Sequence, residues 1–95
     1  MTDEDEPVRV PIEDSLDLHS FRPGDVRSVV EEYLREAHAR GFAEVRLIHG
    51  RGIGAQRAMV QSLLDGHPLV AAYADGSPAR GGWGATVVRL RPKTA

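Results

Sequence analysis

The residues of this chain best suited to chemistry are concentrated at positions 48–54, where a histidine and an arginine alternate with three glycines. A strand-like apolar run ends at His49, and a helix-forming segment follows the glycines. Glycine tolerates positive φ and leaves backbone N–H groups uncovered, so such a turn can hold an anion at the positive end of a helix dipole. The guanidinium of Arg51 suits phosphate oxygens, and His49 can carry a proton at neutral pH. The predicted phosphate-binding residues are Gly50, Arg51, Gly52 and Gly54.

A second histidine ends another strand-like run, residues 15–19 (SLDLH). Asp17 and His19 alternate with two leucines, so both lie on the side away from the leucines, where the carboxylate can orient a histidine, hold a metal or hydrogen-bond a loop. Cleavage of a phosphodiester needs a base, an acid and positive groups around the phosphorus, and two histidines can supply both proton transfers. A lone histidine at a strand end is more often structural, but two at one edge favour function. The predicted catalytic residues are Asp17, His19 and His49.

The elements that position these residues follow from the spacing of apolar side chains. Helices are predicted over residues 25–40 and 55–64, and strands over residues 15–19, 44–48, 69–74 and 85–90. This is an α/β arrangement in the order βαβαββ, with a short extended piece at 8–12 and a loop at 79–84. Because β-α-β crossovers place strands parallel, His19 and His49 are expected at one edge of the sheet. If the third strand is also parallel and the fourth antiparallel, residues 82–86 begin at that edge, where ligands of open α/β sheets bind.

Composition indicates one small domain with an acidic leader. The first 14 residues carry six acidic side chains and one basic one, which leaves residues 15–95 with a net charge of +3 in a 95-residue chain of net charge −2. We predict that residues 1–14 are a disordered tail, residues 15–91 the domain and residues 92–95 a second tail. The chain has no cysteine, which excludes disulfides and thiolate metal sites. With no apolar run near the ~20 residues of a membrane span, we expect a soluble, cytoplasmic protein.

Three segments together resemble the Smr domain, the small MutS-related module. They are LDLH at 16–19, HGRGIG at 49–54 and GGWGAT at 81–86, in the order and spacing of that family. The resemblance covers about residues 15–91 and implies a two-layer α/β sandwich with a mixed four-stranded sheet and two helices, similar to the C-terminal domain of translation initiation factor 3. Ser20 stands where many members have glycine, and Arg51 where lysine is common. Smr domains nick or cleave DNA or RNA, and this chain looks like the stand-alone kind.

Three further residues are predicted to contact nucleic acid. Arg57, in the first turn of the second helix, extends the basic surface, although an exposed helix arginine is usually only a solvated charge. Trp83, the sole tryptophan, either offers its face to a nucleobase or fills the core. Thr86 is predicted to donate a hydrogen bond, whereas His38 and His67 are expected to take no part.

These residues predict an Smr-type endonuclease, and RNA is slightly favoured over DNA. In RNA the adjacent 2′-hydroxyl can be the nucleophile without a metal, whereas DNA requires water as the nucleophile and Mg²⁺ or Mn²⁺ would assist it. The sequence shows no clear metal cluster. Two alternatives stay open: a non-catalytic module that binds structured or branched nucleic acid, and an adaptor that binds a protein partner. The sequence leaves the oligomeric state open, with a monomer compatible.

Overall fold

The computed structural model describes residues 12–50, 54–80 and 82–93, the side chains of Arg80 and Trp83 excepted. The strands are β1 (Ser15–Asp17), β2 (Glu44–Ile48), β3 (Val70–Asp75) and β4 (Ala85–Leu90), and the helices are α1 (Val26–Ala39) and α2 (Ala55–Leu64). Short 3-10 turns occupy Leu18–Ser20, Pro23–Asp25, Pro78–Arg80 and Gly82–Gly84. The bounds of β2, α2 and β4 are those predicted from the sequence.

The four strands form one mixed sheet in the order β1-β2-β4-β3. β1 runs parallel to β2, while β4 is antiparallel to both of its neighbours, so β3 is parallel to β1 and β2. Asp17 pairs with Ile48, Ile48 with Ala85, and Thr86 with Asp75. The ends of the three parallel strands and the beginning of β4 therefore share one edge. This confirms the predicted α/β class, the βαβαββ order and the four-stranded sheet with two helices.

α1 shows how sequence spacing becomes a packed helix. Its apolar residues recur at helical spacing and are buried against the sheet, whereas the acidic and basic residues between them face outward. The helix ends in a Schellman motif, because Gly41 has φ +82° and the N–H groups of Gly41 and Phe42 donate to the carbonyls of His38 and Ala37. The shared core consists of Leu18, Val26, Val30, Tyr33, Leu34, Ala37, Val45, Leu47, Val60, Leu63, Leu64, Val70, Val88 and Leu90. In the described ranges, no helix is long and apolar enough to cross a membrane.

The first strand is shorter than predicted, because it ends at Asp17 and not at His19. The Asp17 carboxylate accepts the backbone N–H of His19 and caps a 3-10 turn over Leu18–Ser20. Such a local bond from an Asp side chain competes with the strand ladder. β3 begins and ends one residue later than predicted, and 3-10 turns form at Pro78–Arg80 and Gly82–Gly84 where a loop was predicted from 79.

The described residues that precede β1 contact the domain. Ile12 packs against the core, the Glu13 carbonyl accepts the hydroxyl hydrogen of Tyr33, and the Asp14 carbonyl accepts the N–H of Arg46 at 2.8 Å. The last residues of the predicted acidic tail are thus joined to the domain. The rest of that tail, with most of the predicted extended piece at 8–12, lies outside the described residues.

Candidate functional site

Asp17 and His19 form a hydrogen-bonded pair at the end of β1. One carboxylate oxygen, Oδ1, accepts the backbone N–H of His19 at 2.9 Å and the ring Nδ1–H at 2.6 Å. These two bonds, the backbone one first, lower the pKa of Asp17 below its usual value. The carboxylate therefore stays ionised at neutral pH and fixes the hydrogen on Nδ1. The His19 side chain is 60% exposed, so solvent reaches the ring.

The His19 ring lies directly over Gly50. A Cβ atom built on Gly50 would be 2.6 Å from Nε2 of His19 and 3.3 Å from Cε1, and Gly50 has φ +84°. The positive φ favours glycine here, and a Cβ would push the exposed His19 ring aside. The structure thus brings the predicted residues Asp17, His19 and Gly50 together, with Nε2 directed at the start of the glycine loop.

His49 follows the last residue of β2 and is 4% exposed. Its Nδ1 is 3.0 Å from the carbonyl oxygen of Gly50, and its Nε2 is 2.8 Å from the hydroxyl of Thr86. A carbonyl only accepts, so Nδ1 carries a hydrogen and Nε2 of the neutral ring accepts the Thr86 hydroxyl hydrogen. Both ring nitrogens are therefore occupied within the fold, which favours a positioning role over the predicted proton transfer.

Two backbone N–H groups of the same turn also have hydrogen-bond partners. The N–H groups of His49 and Gly50 both donate to the carbonyl of Gly84, at 3.0 and 2.8 Å. Gly50 was predicted to bind phosphate, but its N–H hydrogen is already bonded to the Gly84 carbonyl. Gly50 contributes space for His19 and a fixed beginning to the loop.

Burial lowers the pKa of His49 below its ordinary value, because the imidazolium form loses hydration in the interior. The charges of Arg57 and His19 lower this pKa further, while the Gly50 carbonyl and the Asp75 carboxylate act in the opposite direction. The ring is therefore neutral at pH 7. This protonation state agrees with the hydrogen-bond pattern described above.

A chain of polar side chains supports His49 from α2 and the strands. Gln61 donates from Nε2 to the Thr86 hydroxyl at 3.2 Å and to Asp75 Oδ1 at 3.1 Å. Arg57 donates from Nε and Nη2 to the two oxygens of Asp75 at 2.9 and 2.8 Å, and this pairing chiefly lowers the pKa of Asp75. Thr86 is 0% exposed, and its hydroxyl holds His49. Its predicted contact with nucleic acid stays a prediction.

Sequence reasoning did not identify Gln61 or Asp75. Two signals for them exist: Gln61 follows Arg57 by four residues and therefore shares its helix face, and Asp75 ends a strand at the predicted edge. Neither signal separates these residues from ordinary surface polar residues.

The remaining predicted residues surround the beginning of α2. Gly54 is the N-cap residue of α2, has φ +84° and makes no side-chain cap. The first N–H groups of an α-helix have no partner within the helix, so a glycine cap leaves those of α2 without a side-chain acceptor at the N-cap. Arg57 lies in this first turn, as predicted. Arg51, Gly52 and the Trp83 side chain lie outside the described residues. Among the side chains that the structure describes, no three His, Cys, Asp or Glu residues are grouped to hold a metal ion.

Comparisons with known proteins agree with this architecture. The Smr domain family matches residues 16–91. The crystal structure of the Smr domain of Thermus thermophilus MutS2 superposes with a TM-score of 0.79 at 38% identity, covering 84% of this chain and 100% of that one. YdaL, a stand-alone small MutS-related protein from Escherichia coli, gives a TM-score of 0.78 at 32% identity, covering 85% of this chain and 66% of that one.

Curated relatives are much longer proteins. Endonuclease MutS2 of Halalkalibacterium halodurans is 44% identical over 80 residues, which are 84% of this chain and 10% of that protein. Endonuclease MutS2 of Staphylococcus saprophyticus is 39% identical over 83 residues, which are 87% of this chain and 11% of that protein. The chain thus spans about a tenth of the length of these relatives. On its family match, its identity to these relatives and its fold, the chain belongs to the Smr domain family.

Proposed function

We propose that this domain is an endonuclease that cleaves nucleic acid, with RNA preferred over DNA. The observation that carries the proposal is the Asp17–His19 pair, whose exposed ring directs Nε2 to the beginning of the glycine loop. The names of its MutS2 relatives, which are called endonucleases, support the same class of activity.

In RNA the reaction needs one well-placed base. His19 Nε2 takes the proton of the 2′-hydroxyl, the 2′-oxygen forms a bond to phosphorus, and the bond from phosphorus to the 5′-oxygen breaks. Water, which reaches the site beside the exposed ring, protonates the leaving 5′-oxygen. The products are a 2′,3′-cyclic phosphate and a 5′-hydroxyl. Asp17 keeps the hydrogen of the ring on Nδ1 and stabilises the imidazolium that forms. His49 acts by position, since it fixes the turn on which the His19 ring rests.

The phosphate is held at the beginning of α2 in this proposal. The N–H groups of the first helical turn and the positive end of the helix dipole favour an anion there, and Gly54 leaves the approach open. Arg51 and Gly52 stay predicted phosphate contacts, and Arg57 adds a cation whose position Asp75 fixes. Trp83 stays a predicted stacking residue.

The test is a cleavage assay on structured RNA, single-stranded DNA and supercoiled DNA, each with EDTA, Mg²⁺ or Mn²⁺. We expect RNA to be cut in EDTA and to give cyclic phosphate ends. We expect His19→Ala to lower the rate about 10²- to 10⁴-fold, which is the usual contribution of a general base. His38→Ala, a histidine on α1 away from this edge, is the matched control. Equal cutting by the wild type and His19→Ala would reject the assignment.

A second function, binding without cleavage, is favoured by one observation. Both ring nitrogens of His49 are occupied, so the site presents one accessible histidine where the two-histidine prediction needs two. A binding module would retain RNA or DNA after substitution of His19 and would cut neither substrate under any metal condition. Its affinity would fall steeply with salt, because phosphate contacts dominate such binding.

A further inference from the structure

A cavity of about 530 Å³ opens beside the proposed phosphate site and shares Gly54 and Arg57 with it, and the proposed cleavage chemistry assigns no ligand to its apolar part. It lies between Pro23, which opens the turn before α1, and the first two turns of α2. Its lining includes the apolar residues Pro23, Ala55 and Met59, the glycines Gly50 and Gly54, and the polar residues His49, Gln56 and Arg57. Its size is that of sites that bind small molecules, and its shared wall with Gly50 makes it continuous with the His19 site.

One residue of this lining carries a side-chain amide. Gln56 lines the cavity and is half-buried. An amide presents two donors and an acceptor together, the pattern that pairs with the edge of a nucleobase, adenine above all. A flat, largely apolar ring with polar edges therefore matches both the lining and its one amide.

An exposed aromatic residue, Phe21, lies two positions before the cavity residue Pro23 in the chain. Among the described residues, Phe21 is the large apolar side chain that remains exposed, at 36%. It follows His19 by two residues and precedes Pro23 by two. Because Phe21 and Arg22 are both extended, the α-carbons of Phe21 and Pro23 are at most about 7 Å apart. In sequence, Phe21 thus lies between His19, the proposed proton carrier, and Pro23 of the cavity lining. Nucleobases stack on exposed aromatic rings of this kind.

We propose, on the basis of the proposed function, that this cavity is a nucleobase-binding site. The base next to the cleaved phosphate enters it, packs against Pro23 and Met59, and hydrogen-bonds to Gln56. Phe21 stacks on the adjoining base. A base paired within a duplex cannot enter such a cavity, so the substrate class is nucleic acid with unpaired nucleotides at the cleavage position.

Three small probes test this proposal: adenosine 5′-monophosphate, ribose 5-phosphate and inorganic phosphate. Binding is followed by NMR titration of the full chain, read at the amides of Ala55 and Gln56. We expect the wild type to bind adenosine 5′-monophosphate about fivefold or more tightly than ribose 5-phosphate, since the base adds stacking and packing. Ala55→Phe, which fills the cavity from its exposed edge, should bring this ratio to about one.

Ala58→Phe is the matched control, because Ala58 is exposed on the same helix and does not line the cavity. It should keep the wild-type ratio, while Phe21→Ala should weaken binding of a dinucleotide more than binding of the mononucleotide. Equal binding of the two phosphates by the wild type, together with RNA cleavage that depends on His19, would overturn the nucleobase site and leave the proposed function standing. Base-selective binding that Ala55→Phe abolishes, without cleavage of any substrate, would support the site and reject the nuclease.

Discussion

Replacing Gly50 with alanine tests whether the glycine loop places the His19 ring. The new Cβ would lie 2.6 Å from Nε2, so the ring must retreat by about 0.8 Å to reach an ordinary 3.4 Å contact. Because the ring is exposed, it can move without disturbing the core, and its bond to Asp17 is distorted instead. A displacement near 1 Å can cost about 10²-fold in rate. We therefore expect cleavage to fall by about that factor.

The stability cost can be separated from this effect with a matched variant. Gly50 and Gly41 have φ values of +84° and +82°, but a Cβ on Gly41 meets nothing within 4 Å. Alanine at a left-handed position costs about 1–2 kcal/mol of unfolding free energy at either site. In a domain of this size each kcal/mol lowers Tm by about 4–8 °C. Gly50→Ala and Gly41→Ala should thus lose similar stability, while only Gly50→Ala loses activity.

Three measurements on the wild type and both variants decide the matter: thermal melting, RNA cleavage, and NMR of the imidazole nitrogens. The ring signals of His19 should shift in Gly50→Ala and not in Gly41→Ala. Unchanged His19 signals, with equal cleavage by the two variants, would refute the placement of His19 by Gly50.

Three other predictions concern titration and stability. Burial lowers the pKa of His49 below 6.5, so as the pH falls the unfolded chain binds a proton at this residue before the folded chain does. The free energy of unfolding of the wild type should therefore fall relative to that of His49→Gln below about pH 6.5. Parallel pH curves for the two proteins would contradict this. Burial and nearby carboxylates raise the pKa of Tyr33 to about 12. Ultraviolet titration of Tyr73→Phe, which leaves Tyr33 as the one tyrosine of the chain, should show ionisation near this pH. A midpoint near pH 10 would contradict the prediction. Arg57→Gln should cost about 0.5–1 kcal/mol by denaturant unfolding, because it removes a partly exposed bidentate pair with Asp75; wild-type stability would show that the pair contributes nothing.

Local sequence determined most of the fold. Apolar spacing identified α2, β2 and β4 to the residue, whereas Asp17 and His19 pair through a 3-10 turn that the Asp17 side chain caps and not through the strand alternation predicted for residues 15–19. Gly41 ends α1 because no other residue type adopts its positive φ as readily. These features depend on neighbours within a few residues, so the chain itself encodes them.

Only the tertiary structure decided what the site residues can do. His49 and Thr86 are 37 residues apart, and their bond exists because the register of β2 with β4 sets Leu47 opposite Thr86 and Ile48 opposite Ala85. The same packing buries both side chains and gives Gln61 its place. In the sequence His19 and His49 look alike, but one ring is exposed beside Asp17 and the other is enclosed with both nitrogens bonded. Solvent exposure and long-range hydrogen bonds arise from the packing of distant segments, and these separate the exposed His19 from the enclosed His49.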